Sequence, residues 1–80
     1  MIHLPEIWDC IRHRLPKGHW ATLDDIYHLI ERNLNPDAED YESQSPGSEI
    51  PKWKRNVRNV LQYRKKMGEI EWDGHGKYRV

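Results

Sequence analysis

Residues 52–80 read KWKRNVRNVLQYRKKMGEIEWDGHGKYRV, and the change of rhythm inside that stretch decides the fold. Over residues 51–67, Trp53, Val57, Val60, Leu61 and Met67 recur at helical spacing, which predicts a helix with one apolar side. A step of ~100° per residue puts Arg55, Arg58, Asn59, Gln62 and Lys66 on the opposite side, with Lys52 beside them. Gly68 then reads as a left-handed helix stop. Past it the period falls to two. Glu69-Ile70-Glu71-Trp72 and Lys77-Tyr78-Arg79-Val80 alternate around Asp73-Gly74-His75-Gly76, which predicts a hairpin with Ile70, Trp72, Tyr78 and Val80 on one face.

Working back from this stretch, Leu4, Ile7, Trp8, Ile11 and Leu15 mark a first helix that begins near Pro5 and ends before Pro16-Lys17-Gly18. His19-Trp20-Ala21 reads as a short strand. Thr22, followed by Asp24 and Asp25, reads as an N-cap with acids in the first turn. It opens a second helix with Leu23, Ile26, Tyr27, Ile30 and Leu34 as its apolar face, stopped by Asn35-Pro36. Residues 35–49, NPDAEDYESQSPGSE, carry five acids and no base and read as an acidic loop, with room for one helical turn over residues 37–43. Trp8, Trp20 and Trp72 are expected in the core or the sheet. The order helix, short strand, helix, helix, strand, strand predicts one α+β domain over residues 1–80. Its architecture is a winged helix-turn-helix of three helices and a small three-stranded antiparallel sheet whose C-terminal hairpin is the wing.

Length and charge narrow the function. Eighty residues bury only about 60–65% of the unfolded surface, which leaves little room for a deep active site. Cys10 is a lone cysteine, the five histidines fit no zinc spacing, and no apolar run reaches the ~18 residues of a membrane span. The expectation is a soluble cytoplasmic protein of bacterial, archaeal or phage type, with no metal, no cofactor and no membrane partner. Asp24-Asp25, the most suggestive carboxylate pair, is explained by capping, so no enzymatic activity is expected. The formal net charge of zero hides an asymmetry: residues 1–50 hold four Lys/Arg against ten Asp/Glu (−6), and residues 51–80 hold nine against three (+6). A basic half with one organised face is the electrostatic footprint of a nucleic-acid reader.

The third helix has the chemistry for that role. Arginine pairs with guanine, while Asn and Gln pair bidentately with adenine, in a major groove that admits one helix. Arg55, Arg58, Asn59 and Gln62 place those groups on successive turns, and no acid lies between Lys52 and Lys66. Lys52, Lys54 and the helix N-terminus suit phosphates, as do Lys65, Lys66, Lys77 and Arg79, with His75 at the hairpin tip. Trp53 stands at the edge of the apolar stripe, where it either packs in the core or meets a methyl group in the groove. Arg64 falls mid-stripe and is expected to snorkel or to pair with an acid of the negative half: Asp9, Glu31 or Asp40.

The segments TLDDIY (22–27), VRNVLQ (57–62) and GEIEWDGHGKYRV (68–80) resemble the C-terminal winged-helix domain of the Dam-replacing, DpnI-like family of restriction endonucleases, which act at GATC sites carrying N6-methyladenine. The resemblance spans roughly residues 20–80. It implies a reader of N6-methyladenine in double-stranded DNA, with Arg58, Asn59 and Gln62 as helix residues and His75, Lys77 and Arg79 as wing residues. The family's nuclease motif has no counterpart here, so the resemblance implies the reading module alone, fused to or associated with a nuclease domain. Two other readings stay open: a sequence-specific transcription regulator of unmodified DNA, and a protein-interaction winged helix.

Overall fold

A computed structural model describes residues 1–43, 47 and 49–80. The elements run α1 (Leu4–Arg14), β1 (Ala21–Thr22), α2 (Leu23–Leu34), α3 (Lys52–Lys66), β2 (Glu71–Trp72) and β3 (Lys77–Arg79). Three helices with a three-stranded antiparallel sheet make an α+β structure compatible with a winged helix. Gln44, Ser45, Pro46 and Ser48, all within the expected acidic loop, lie outside the described residues.

Local chemistry accounts for the boundaries. The His3 backbone N–H donates to Glu6 Oε1 at 3.1 Å, and Pro5 sits in the first turn of α1, where its missing N–H costs nothing. Thr22 caps α2 reciprocally: its Oγ1 accepts the Asp25 N–H and its own N–H donates to Asp25 Oδ2, both at 3.1 Å. The Thr22 N–H, with the Thr22 hydroxyl beside it, holds the Asp25 carboxyl below its ordinary pKa. Asn35 adopts φ +48° at the end of α2, and Gly68 adopts φ +78° just past α3, the left-handed conformation a glycine takes there at no steric cost.

β3 is the central strand, pairing Ala21 with Tyr78 on one side and Trp72 with Tyr78 on the other. The strands are two or three residues long, shorter than the alternation suggests, and the Gly18 N–H closes the sheet's end by donating to the Val80 carbonyl at 2.9 Å. One core joins all three helices to the sheet, with Ile7, Ile11, Ile26, Ile30, Val57 and Leu61 fully buried. Burying each such side chain is worth about 1.5–3 kcal/mol.

Several expectations are corrected by packing. Leu4 is 48% exposed and Met67 58% exposed, because each lies at a helix end beyond the reach of its neighbour. Trp8 is in the core and Trp72 in β2, as expected, whereas Trp20 lies just before β1; Trp20 and Trp72 are 43% and 45% exposed, since so short a sheet does not cover its own edges. The acidic loop is partly structured: residues 38–41 form turns, and Ser43 bridges to Pro51.

Candidate nucleic-acid interface

The exposed side of α3 is as the spacing predicts. Arg55, Arg58, Asn59, Gln62 and Lys66 all face solvent, and the first four, with Ile50, line one concavity of about 330 Å³. The opposite side carries Trp53, Val57, Val60 and Leu61 into the core. Arg58 reaches toward the sheet as well. Burial raises the pKa of Tyr27 on α2 and of Tyr78 on β3, and the Arg58 charge opposes the rise at both. The Arg58 charge therefore lies near both α2 and the central strand.

The hairpin tip is built by one carboxylate. Asp73 Oδ1 accepts the N–H of His75 at 2.7 Å and that of Lys77 at 3.0 Å, which holds the Asp73 carboxyl below its ordinary pKa. Gly74 and Gly76 take φ +86° and +94° on either side of His75, so this exposed imidazole is presented at the apex. Lys77 is exposed, and no side-chain bond among the described residues holds it.

Three members of the expected site are placed differently. Trp53 is 1% exposed, and its indole packs edge-on against Tyr27 and Tyr41 at centroid separations of 5.7 and 6.1 Å. It belongs to the core because the turn of residues 38–41 covers the side of α3 on which it lies, so its ring meets no groove. Arg79 is held in a cross-strand row, its guanidinium 4.6 Å from the Trp20 ring and 2.5 Å from Glu71 Oε2. It braces the sheet. The N-terminus of α3 is not open to phosphate either, since the Lys52 and Trp53 N–H groups donate to the carbonyls of Glu42 (2.8 Å) and Asp40 (3.1 Å).

Other cations also have internal partners. The Lys54 ammonium lies over Tyr27 and Trp53, at 5.1 and 5.7 Å, and that of Lys65 lies 4.2 Å from the Trp72 centroid. Arg64 does pair with an acid, but with Glu69 at 2.8 Å and not with Asp9, Glu31 or Asp40, while its guanidinium covers Trp8 at 4.8 Å. Of the nine Lys/Arg in residues 51–80, Lys52, Arg55, Arg58, Lys66 and Lys77 make no such contact among the described residues.

Sequence reasoning named Asp40 only as a candidate partner of Arg64 and missed its role as a buried acceptor. Its side chain is 1% exposed, and its carboxylate accepts the N–H groups of Ile2 and Asp37, each at 3.0 Å. The Asp37-x-x-Asp40 spacing was the available signal, because the Asp40 N–H returns a bond to Asp37 Oδ1 at 3.0 Å. Asp37 also holds the Met1 amino group, and that contact together with the Asp40 N–H lowers its pKa to about 2.

Elsewhere, an apolar groove between α1 and α3 is lined by Leu4, Pro5, Trp8, Val60, Tyr63 and Arg64. Cys10 is buried, which pushes its thiol pKa up. Among the described residues there is no cluster of His, Cys, Asp or Glu able to hold a metal ion, and no helix is long and apolar enough to cross a membrane.

No family model, no curated protein and no solved structure matches this chain.

Proposed function

We propose that this chain is a winged-helix module that binds double-stranded DNA, with α3 in the major groove and the β2–β3 hairpin against the backbone. One observation carries the reading: Arg55, Arg58, Asn59 and Gln62 are exposed together around one concavity on a helix that contains no acid. A solvated helix face usually mixes Glu with Lys, whereas this one holds the donors and acceptors that match guanine and adenine edges. His75 and Lys77 are the wing residues free to meet phosphate, and Lys52 and Lys66 flank the helix.

N6-methyladenine in a GATC-like site is the target that the resemblance supports. With Trp53 in the core, its reading falls to Asn59 and Gln62. The module acts as a binder and not as an enzyme, in a cytoplasmic setting, alongside a nuclease domain fused to it or associated with it. The apolar α1–α3 groove favours the protein-interaction reading as the alternative.

The test is a fluorescence-polarisation titration at physiological salt with GATC duplexes methylated on both strands, on one, and on neither. Tightest binding to the doubly methylated duplex is expected. The five cations without an internal contact limit the slope of log K against log salt to about −4.5. Equal binding to all three duplexes removes methyl reading, and no binding to any removes the DNA reading.

A further inference from the structure

We propose that Ile50 is the apolar contact of the reading surface, placed to meet a methyl group on a base edge in the major groove. The inference rests on the DNA reading above and names the residue that lets the same surface tell a base with a methyl group from one without.

Polar pairing does not do this by itself. Asn and Gln grip adenine in the major groove by donating to N7 and accepting from an N6–H. In a paired N6-methyladenine the remaining N6–H stays in the base pair, and the methyl takes the place of the groove-side hydrogen. An amide at Asn59 or Gln62 then keeps its bond to N7 and loses the other. Polar pairing alone therefore favours the unmethylated base, and a preference for the methylated one needs apolar surface beside the amide. The C5-methyl of thymine, on the same groove wall, asks for the same kind of contact.

Ile50 supplies that surface. It is 42% exposed and is the one apolar residue lining the concavity of about 330 Å³ that it shares with Arg55, Arg58, Asn59 and Gln62. The other apolar side chains of α3 turn elsewhere: Trp53, Val57 and Leu61 are in the core, and Tyr63 lines the groove against α1. In the position before a helix cap, an apolar side chain commonly packs on the fourth helical residue. Here that residue is Arg55, so isoleucine and arginine together form the N-terminal end of the reading surface. A recognition helix meets base edges with its N-terminal residues, and Ile50 stands at that end.

The segment is fixed in advance. Pro51 narrows the backbone choices of the residue before it and bridges to Ser43, and the Lys52 N–H donates to the Glu42 carbonyl at 2.8 Å. The β-branched side chain has few rotamers to lose on contact.

Ile50→Ala removes the contact, and Ile50→Val keeps the β-branch and most of the apolar surface. Binding is measured by polarisation on three GATC duplexes: unmodified, carrying N6-methyladenine on both strands, and with deoxyuridine in place of thymine. Thermal melting checks the fold. Burying one methyl group is worth about fourfold in Kd. The expected result is a preference for the methyl-bearing duplex that is about fourfold larger in wild type than in Ile50→Ala, and mostly kept in Ile50→Val. A difference that appears between the methylated and unmodified duplexes assigns the contact to the adenine methyl, and one between the unmodified and deoxyuridine duplexes assigns it to thymine. Equal methyl preferences in wild type and a folded, DNA-binding Ile50→Ala overturn the inference and leave the DNA reading intact. A loss in Ile50→Val as large as that in Ile50→Ala also overturns it. Failure of the wild type to bind any duplex removes both.

Discussion

Replacing Asp40 with Ala removes the one buried carboxylate among the described residues, which ties the chain's first residues to the acidic turn. Its two oxygens accept the N–H groups of Ile2 and Asp37, each at 3.0 Å, from a side chain that is 1% exposed. A hydrogen bond to a charged group contributes about 1.5–3 kcal/mol, and truncation leaves both N–H groups without their acceptor. Water reaches the Asp37 side of the turn and restores part of that, so a loss of about 3 kcal/mol is expected. For a domain of this size each kcal/mol moves Tm by about 4–8 °C, which places the melting point roughly 12–24 °C lower. Asp40→Asn keeps one acceptor but turns amide hydrogens toward the other N–H, so it recovers at most one of the two bonds. Thermal unfolding followed by far-ultraviolet circular dichroism, with urea unfolding as a second measure, reads the effect. A loss below about 1 kcal/mol for Asp40→Ala would refute the reasoning, because it would mean that solvent replaces both bonds and that the turn is not part of the cooperative fold.

Arg64→Met is expected to stay within about 1 kcal/mol of wild type, because a methionine still covers Trp8 and a half-exposed ion pair contributes little; Arg64→Ala, which uncovers Trp8, costs about 1–1.5 kcal/mol by urea unfolding. Equal losses for the two would put the ion pair, and not the packing, in charge. At the wing, Asp73 has a folded-state pKa below its ordinary 3.8, so its contribution to the hairpin is complete above that value and is lost as pH falls through the lower folded one. The His75 and Lys77 amide resonances should therefore titrate together with a midpoint below 3.8, and Asp73→Ala should abolish the transition.

The elements legible in the sequence are those whose cause is local. Thr22 with Asp25, Asn35 before Pro36 and Gly68 after Lys66 act within a few residues, and each stands where spacing places it. The polar side of α3 was legible for the same reason, since a helix face is set by an angle per residue. Asp40 was not, because it bonds Ile2 across 38 positions of sequence. Arg64 shows the intermediate case. Its place on the apolar side followed from the angle, but its partner followed from Gly68, whose left-handed turn lets the Glu69 N–H bond the Arg64 carbonyl at 2.9 Å and brings the Glu69 carboxylate back over the last turn. Arg79 looked free for phosphate because strand alternation reports a face and not its neighbours. Register pairs it with Glu71, and the next position on β1's side brings Trp20 against it.

The −6 and +6 halves are not separate poles in space, since the acidic turn meets the basic helix at the N-terminal end of α3. The C-terminal end of α3 suits its dipole, with Arg64, Lys65 and Lys66 in the last turn, while its first turn holds no acid and is met by the Glu42 and Asp40 carbonyls. Lys54, Arg64 and Lys65 lie over aromatic rings, and Arg79 braces the sheet, so a large part of the positive charge maintains the fold. What is left over is ordered. Arg55 and Arg58 stand with Asn59 and Gln62 on the middle turns, where dipole, capping and core packing require no polar side chain of any particular kind. A helix that needed only solubility would be satisfied there by Glu and Lys pairs, which add about 0.2–0.5 kcal/mol each. This helix forgoes them over the same turns that its ends leave free, and that is where recognition has room to be written.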